Sequence, residues 1–316
     1  MAEPPFRLRD VDPFRRRNQR YAGRAWVTPH RGVRIPTTSA DNVDARIAAA
    51  ALVLPDGGAL AGWAAARRHG DRWASGLDSR GCALAVPAAL PHHVRLRRNG
   101  IAPVNGVLEP DDVWMLNGVA TTSPDRTGFD EARLLPYGEA VAALDSLLAC
   151  GATDLTRLRL YVQHHPGMKG VPQARQVLEV ASPYAESRQE SRMRLCWLAV
   201  GFDQLVVNAT ILDEHGEFVG RVDLLDEEAG LVGEYQGDTH RDQLQYRKDL
   251  RRKRRLESLG LIVSEAGGGD LRPGSGYTRD LVAARRRGLD RDRRLDRWQL
   301  GLRRSTPQNV DDWWAS

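Results

Sequence analysis

The rhythm of apolar and polar positions changes three times along the chain. Residues 1–40 are polar and Arg-rich, with Trp26, Val27 and Val33 predicting a short strand pair before the loop signature Pro36-Thr37-Thr38-Ser39. From Asn42 to Arg68, Ala, Leu and Val recur at helical spacing, broken by Pro55-Asp56-Gly57-Gly58, so two helices are predicted over about 43–53 and 60–69. CALAVPAAL, HHVRLRRN and the stretch from Val113 to Val119 read as strands of period two. Ser123 with Pro124 behind it predicts a helix start, and three further helices follow in EAVAALDSLLA, DLTRLRLYVQHH and GMKGVPQARQVLEVA.

Beyond Ala181-Ser182-Pro183 the rhythm changes again. YAESRQESRMRLCWLAVG predicts an amphipathic helix, LVVNATIL and FVGRVDLL two strands joined through Asp213-Glu214-His215-Gly216, and GLVGEY a third strand. DQLQYRKDLRRKRRLESLG predicts a helix and LIVSEA a fourth strand. The expected fold class is α/β. A C-terminal mixed sheet flanked by helices follows a mainly helical α+β region. The expected domains are an Arg-rich segment at 1–40, an α+β domain at 41–181, an α/β unit at 182–272 and a basic helical tail at 273–316.

Length and composition narrow the class. The chain has 316 residues, enough for about two domains with cores of their own, and 28% charged residues with 41% hydrophobic ones exclude a wholly disordered or collagen-like chain. No run approaches the roughly 18 apolar residues of a membrane span, and MAEPPFRLRD has no apolar stretch behind its charges, so a cytoplasmic protein is expected. Cys82, Cys150 and Cys196 form no CxxC pair and are expected as small buried residues.

Only Lys169, Lys248 and Lys253 of the 46 basic residues are lysines, a bias that a GC-rich genome by itself produces. Distribution carries more information. Residues 241–256 hold eight basic side chains against two acidic ones, and 279–304 hold ten against four, in a chain whose net charge is only +5. Such tracts fit a phosphate backbone.

Register suggests chemistry. If Glu227 to Gly230 form a four-residue hairpin loop, Asp226 pairs with Leu231, and Asp223 falls opposite Glu234 with Gln236 on the same sheet face. Two opposed carboxylates repel unless a cation lies between them. A hard divalent ion such as Mg2+ takes carboxylates, waters and phosphate oxygens, with the backbone carbonyl of Tyr235 as a third protein oxygen. Glu186, Glu190 and Arg194 share one helix face, from which Glu190 reaches the metal or its water if that face packs beside the strands.

The set Glu190-Ser-Arg, Arg221-Val-Asp223, Glu234-Tyr-Gln236-Gly-Asp-x-His240, then Tyr246, Asp249, Arg252 and Leu256 before Gly260, resembles the very-short-patch-repair-like endonuclease domains of the PD-(D/E)XK superfamily over about 182–272. GVRIP, ALAGWAAARRHG, AVPAAL and TTSPDRTGFDEAR look like the region preceding that domain in proteins similar to AbiEi-type antitoxins. The nuclease resemblance implies a restriction-endonuclease-like sheet, with Asp223 and Glu234 holding Mg2+ (or Mn2+ in its place) and Glu190 assisting. The superfamily's usual lysine two residues after the strand glutamate is Gln236 here, which orients water but carries no charge; Lys248 is the nearest lysine, and His240 is a candidate acid or base.

Plainer readings stand beside these. Asp223 and Glu234 are also natural partners of Arg221 and Arg241, Glu190 of Arg194, and Gln236 is also a strand-end cap. His240 is also a loop histidine, Lys248 a solvated one, and His92-His93 and His164-His165 read as loop histidines. Thr122, Arg126 and Asp130 lie four apart and read as a structural helix-face network. Arg241, Arg252 and Arg255 are the candidate nucleic-acid contacts. The expected activity is Mg2+-dependent hydrolysis of DNA by an endonuclease or nickase, with a homodimer if both strands are cut. The competing expectation is an antitoxin-like DNA-binding regulator whose nuclease fold is an inactive scaffold.

Overall fold

The computed structural model describes residues 4–11, 24–78, 80–104, 106–237, 243–272 and 274–302. The chain divides into two compact units, Met1–Val180 and Ala181–Ser316.

In the first unit, strands β1 (Phe6–Arg7), β2 (Trp26–Val27) and β3 (Val33–Pro36) form an antiparallel sheet in the order β1-β3-β2. Alternation along β3 turns Val33 and Ile35 onto Ala49 of helix α1 (Val43–Ala51), so the segment ending near residue 40 shares a core with the helix after it. Asn42 caps α1 by accepting the N–H groups of Asp44 and Ala45.

A second, mixed sheet contains β4 (Ala59–Leu60), β5 (Val86–Ala89), β6 (Ile101–Val104), β7 (Val113–Leu116) and β8 (Val119–Thr122) in the order β6-β5-β4-β8-β7. Helix α2 (Gly62–Arg68) packs on it through Ala64. Two expectations are corrected here. HHVRLRRN is not a strand; its alternation delivers Val94 and Leu96 to the core, but among the described residues its backbone pairs with no strand, and the ladder is made instead by β6. Val113 to Val119 is not one strand but a hairpin, because Asn117 and Gly118 both take positive φ (48° and 74°), the pair a two-residue turn demands.

Four helices complete this unit: α3 (Pro124–Leu134), α4 (Tyr137–Ala149), α5 (Leu155–His164) and α6 (Val171–Val180). Ser123 caps α3 as its sequence predicts, accepting the Arg126 N–H. Arg126 is fully buried between Asp112 (2.6 Å) and Asp130 (2.8 Å), and Asp130 also binds Arg133. Thr122 does not join this network; its hydroxyl meets that of Thr127.

The second unit opens with α7 (Arg188–Ala199), capped by Ser187. Strands β9 (Leu205–Asp213), β10 (Phe218–Asp226) and β11 (Leu231–Tyr235) form the predicted meander, followed by α8 (Gln243–Ser258) and β12 (Ile262–Ala266). The region expected as a tail adds α9 (Tyr277–Leu289) and an edge strand β13 (Trp298–Leu300), giving the mixed sheet β12-β11-β10-β9-β13. One face carries α7 and α9 through Met193, Trp197, Tyr277 and Leu281, and the other carries α8 through Leu256. Apolar side chains spaced along α9 must bury somewhere, and the open sheet face receives them. This is an α/β fold with mixed sheets flanked by helices.

Gly233 admits the core's largest ring. A Cβ there would lie 2.6 Å from the Trp197 indole, whose Nε1 donates to the Tyr277 hydroxyl at 3.0 Å. Among the described residues no helix is long and apolar enough to cross a membrane. The cysteines differ from expectation: Cys82 and Cys150 are exposed and Cys196 is half-buried, all as free thiols.

Candidate functional site

The hairpin between β10 and β11 decides the register. Asp226 pairs with Leu231, Leu225 with Val232 and Leu224 with Gly233, so one step further Asp223 stands opposite Glu234, as the four-residue loop requires. The Asp223 carboxylate turns back to accept the Tyr235 N–H at 2.7 Å. On β9, the neighbour of Asp223 is Asn208, whose φ of 50° interrupts the ladder between the pairs at Val222 and Leu224. The irregular backbone sends the Asn208 amide to Glu190 at 3.1 Å.

Charge is crowded here. Burial, then the neighbouring Glu190 carboxylate, push Asp223 up to about 7, against the pull of the Tyr235 N–H; Glu234 adds to the rise. Burial likewise raises Glu234, with Arg252 opposing it and Glu265 and Asp249 adding to it. Glu234 is 5% exposed; Arg252 holds one of its oxygens at 2.7 Å, and Oε1 is buried with no hydrogen-bond partner.

The other predicted residues fall into three groups. Glu190 is brought beside Asp223, but its Oε2 accepts the Glu186 N–H (2.8 Å) as well as the Asn208 amide, so it also fastens the entry to α7. Gln236 donates to Glu265 at 2.9 Å, and its own Oε1 is buried without a partner. Lys248 is exposed on α8, and Arg255, also exposed, pairs with Asp213 at 3.1 Å. His240 and Arg241 lie outside the described residues.

Two further residues join the site without having been candidates on sequence grounds. Glu265 on β12 pairs in parallel register with Glu234, putting a carboxylate on the next strand, and Lys253 of α8 binds it. Lys253 and Arg252 stand three and four residues before the buried Leu256, the spacing that puts them on the helix face toward the sheet. Leu256 is the sequence signal for that face. The parallel register that places Glu265 has no local signal, because a whole helix separates its two strands.

Hard oxygen donors of this kind fit a divalent cation. Asp223 and the unpartnered Oε1 of Glu234 are the side-chain atoms that would hold it, and a cation there would offset the burial and the neighbouring carboxylates that raise Asp223. Among the described residues no group of three His, Cys, Asp or Glu side chains is gathered closely enough to bind a metal by itself. An ion held by these two carboxylates alone would have to keep several waters or other oxygens.

No protein-family model matches the chain, and no solved structure does. Two uncharacterised proteins from separate strains of Mycobacterium tuberculosis are each 29% identical to it over 179 residues, which is 56% of this chain. The match spans 65% of the length of those relatives.

Proposed function

We propose that the second unit is a Mg2+-dependent endonuclease or nickase of the restriction-endonuclease-like type, acting on duplex DNA in the cytoplasm. One observation carries the proposal: Asp223 and Glu234 are opposed on adjacent strands, half-buried and buried, with Glu234 Oε1 left without a protein partner. Opposed carboxylates of raised proton affinity cost stability, and a site that accepts a cation recovers it.

A divalent ion bound there supplies Lewis-acid stabilisation of phosphate charge and a more acidic water. The remaining work falls to side chains. Gln236, anchored through its amide to Glu265, presents a free acceptor that orients a water proton, the role its missing positive charge still allows. Arg252 and Lys253, on the sheet-facing side of α8, offset charge on the transferring phosphoryl group. Arg251 and Arg254 are exposed on the same helix and suit the flanking phosphate backbone. One such centre cuts one strand, so a double-strand break calls for two chains.

A second reading has its own observation. Arg252 on Glu234 and Lys253 on Glu265 are ion pairs that satisfy carboxylates without a metal, which suits an antitoxin-like DNA-binding regulator with an inactive scaffold. Incubation with supercoiled plasmid and Mg2+ or Mn2+ separates the two. Nicking or linearisation abolished by EDTA, by Asp223→Ala and by Glu234→Ala is the expected result. Plasmid merely shifted in mobility, alike for wild type and variants, would overturn the nuclease and favour the regulator.

A further inference from the structure

We infer that β7 is a docking edge for a second copy of this chain, paired antiparallel about a two-fold axis at Trp114. The inference stands on the first unit alone and is independent of the nuclease proposal.

Sheet edges attract other strands unless something blocks them, and the described edges differ in this respect. At the opposite edge of the same sheet, β6 carries exposed Pro103, which has no N–H to offer. In the second unit β12 carries exposed Glu265 and β13 has three residues; in the small sheet β1 and β2 have two each. β7 has four residues, Val-Trp-Met-Leu, with neither charge nor proline and no register shift against β8. Trp114 is 43% exposed and Met115 66%, so both faces of the strand are open.

Hydrogen-bond alternation fixes how a partner would sit. The two-residue turn makes Leu116 and Val119 a bonded pair, and Trp114 and Thr121 the next, so Met115 turns its N–H and C=O outward and Val113 its C=O, the Val113 N–H being taken by the Pro110 carbonyl. A second β7 aligned with Val113 against Met115 makes about two backbone hydrogen bonds, from the Met115 N–H of each copy to the Val113 carbonyl of the other. Trp114 then meets its own copy at a non-bonded position, where side chains approach most closely.

Self-pairing requires that no residue repel its own copy and that unlike charges meet at the ends. From Val113 to Ala120 there is no charged residue. Before the strand lie exposed Glu109 and Asp111; at its other end Arg68 donates to the Leu116 carbonyl. An antiparallel copy brings the acidic end of one chain to the basic end of the other.

Four residues span only about 13 Å, too short a strand to bury by itself the roughly 800 Å² per partner of a standard interface. Additional apolar surface lies at hand. Two open clefts of about 440 and 450 Å³ flank Met115, one lined by Leu52, Leu54 and Val119, the other by Pro91, Leu108 and Val113. A weak, reversible dimer is therefore expected.

Sedimentation velocity of the full chain from about 1 to 100 µM tests it, beside Met115→Lys and Asp111→Arg, both at exposed positions where circular dichroism checks that the fold is kept. Wild type should dimerise with rising concentration, and each variant should need at least about tenfold more protein for the same dimer fraction. A wild type that is monomeric throughout would leave the edge to a strand of another protein and overturn the proposal. Dimers unchanged in both variants would place the contact on another surface, and weakening by Met115→Lys alone would overturn the antiparallel arrangement.

Discussion

Arg252 reaches from α8 to one carboxylate oxygen of Glu234 at 2.7 Å, and the other oxygen of Glu234 is buried without a partner. The same guanidinium donates to the Arg221 carbonyl at 2.8 Å, so it ties β10, β11 and α8 together. Removing it leaves a buried carboxylate uncompensated. Arg252→Ala is expected to cost about 2 kcal/mol at pH 8, less than a fully buried pair because the arginine is a third exposed. The loss should shrink at pH 5, where Glu234, raised further without its arginine, takes up a proton. Urea unfolding at the two pH values measures both; equal losses would show that Glu234 does not titrate between them.

Asp223 gives a pH dependence of definite sign. Its folded pKa of about 7 lies above the unfolded value of 3.8, so between those values the folded state holds a proton that the unfolded chain has released. Stability therefore falls as pH rises through that window, by at most about 1.4 kcal/mol per pH unit. Asp223→Asn lacks this penalty, so its melting temperature should gain on that of wild type between pH 5 and pH 8 and run parallel above. If millimolar Mg2+ is held at Asp223, it should raise the wild-type melting temperature more at pH 8 than at pH 6 and have little effect on the variant.

Gly233 and Trp197 make a tighter test of packing. With a Cβ 2.6 Å from the indole, Gly233→Ala must displace the ring or the strand that carries Glu234, at about 1–3 kcal/mol. Tryptophan fluorescence during urea unfolding follows this. A change below about 0.5 kcal/mol would mean that the ring moves aside freely.

In the first unit, Asp130→Ala strips both Arg126 and Arg133 of a buried partner. Breaking such a pair costs about 3–5 kcal/mol, whereas a solvated helix-face pair would cost about 0.3–0.5 kcal/mol. A calorimetric scan that resolves the unit's own transition distinguishes the two.

Local rules determined much of this protein from sequence. The order helix, meander, helix, strand, the Ser123 cap and the Asp226–Leu231 register all follow from neighbours within one element or one short turn. Hence the opposition of Asp223 and Glu234 is legible in the order of residues alone. The hairpin at Asn117-Gly118 is equally local, but its turn signal sits inside an apolar run that imitates a single strand.

What tertiary structure decided is which side chains converge from afar. Lys253 binds Glu265 from the face of α8 that burial of Leu256 turns to the sheet, and Glu265 arrives through a parallel pairing separated by a helix. Arg255, counted among basic contacts, pairs with Asp213 while staying exposed, and the region expected as a basic tail adds α9 and β13 to the sheet unit. Sequence periodicity says which faces must be buried; only packing says against what, because the same apolar stripe fits any sufficiently open face.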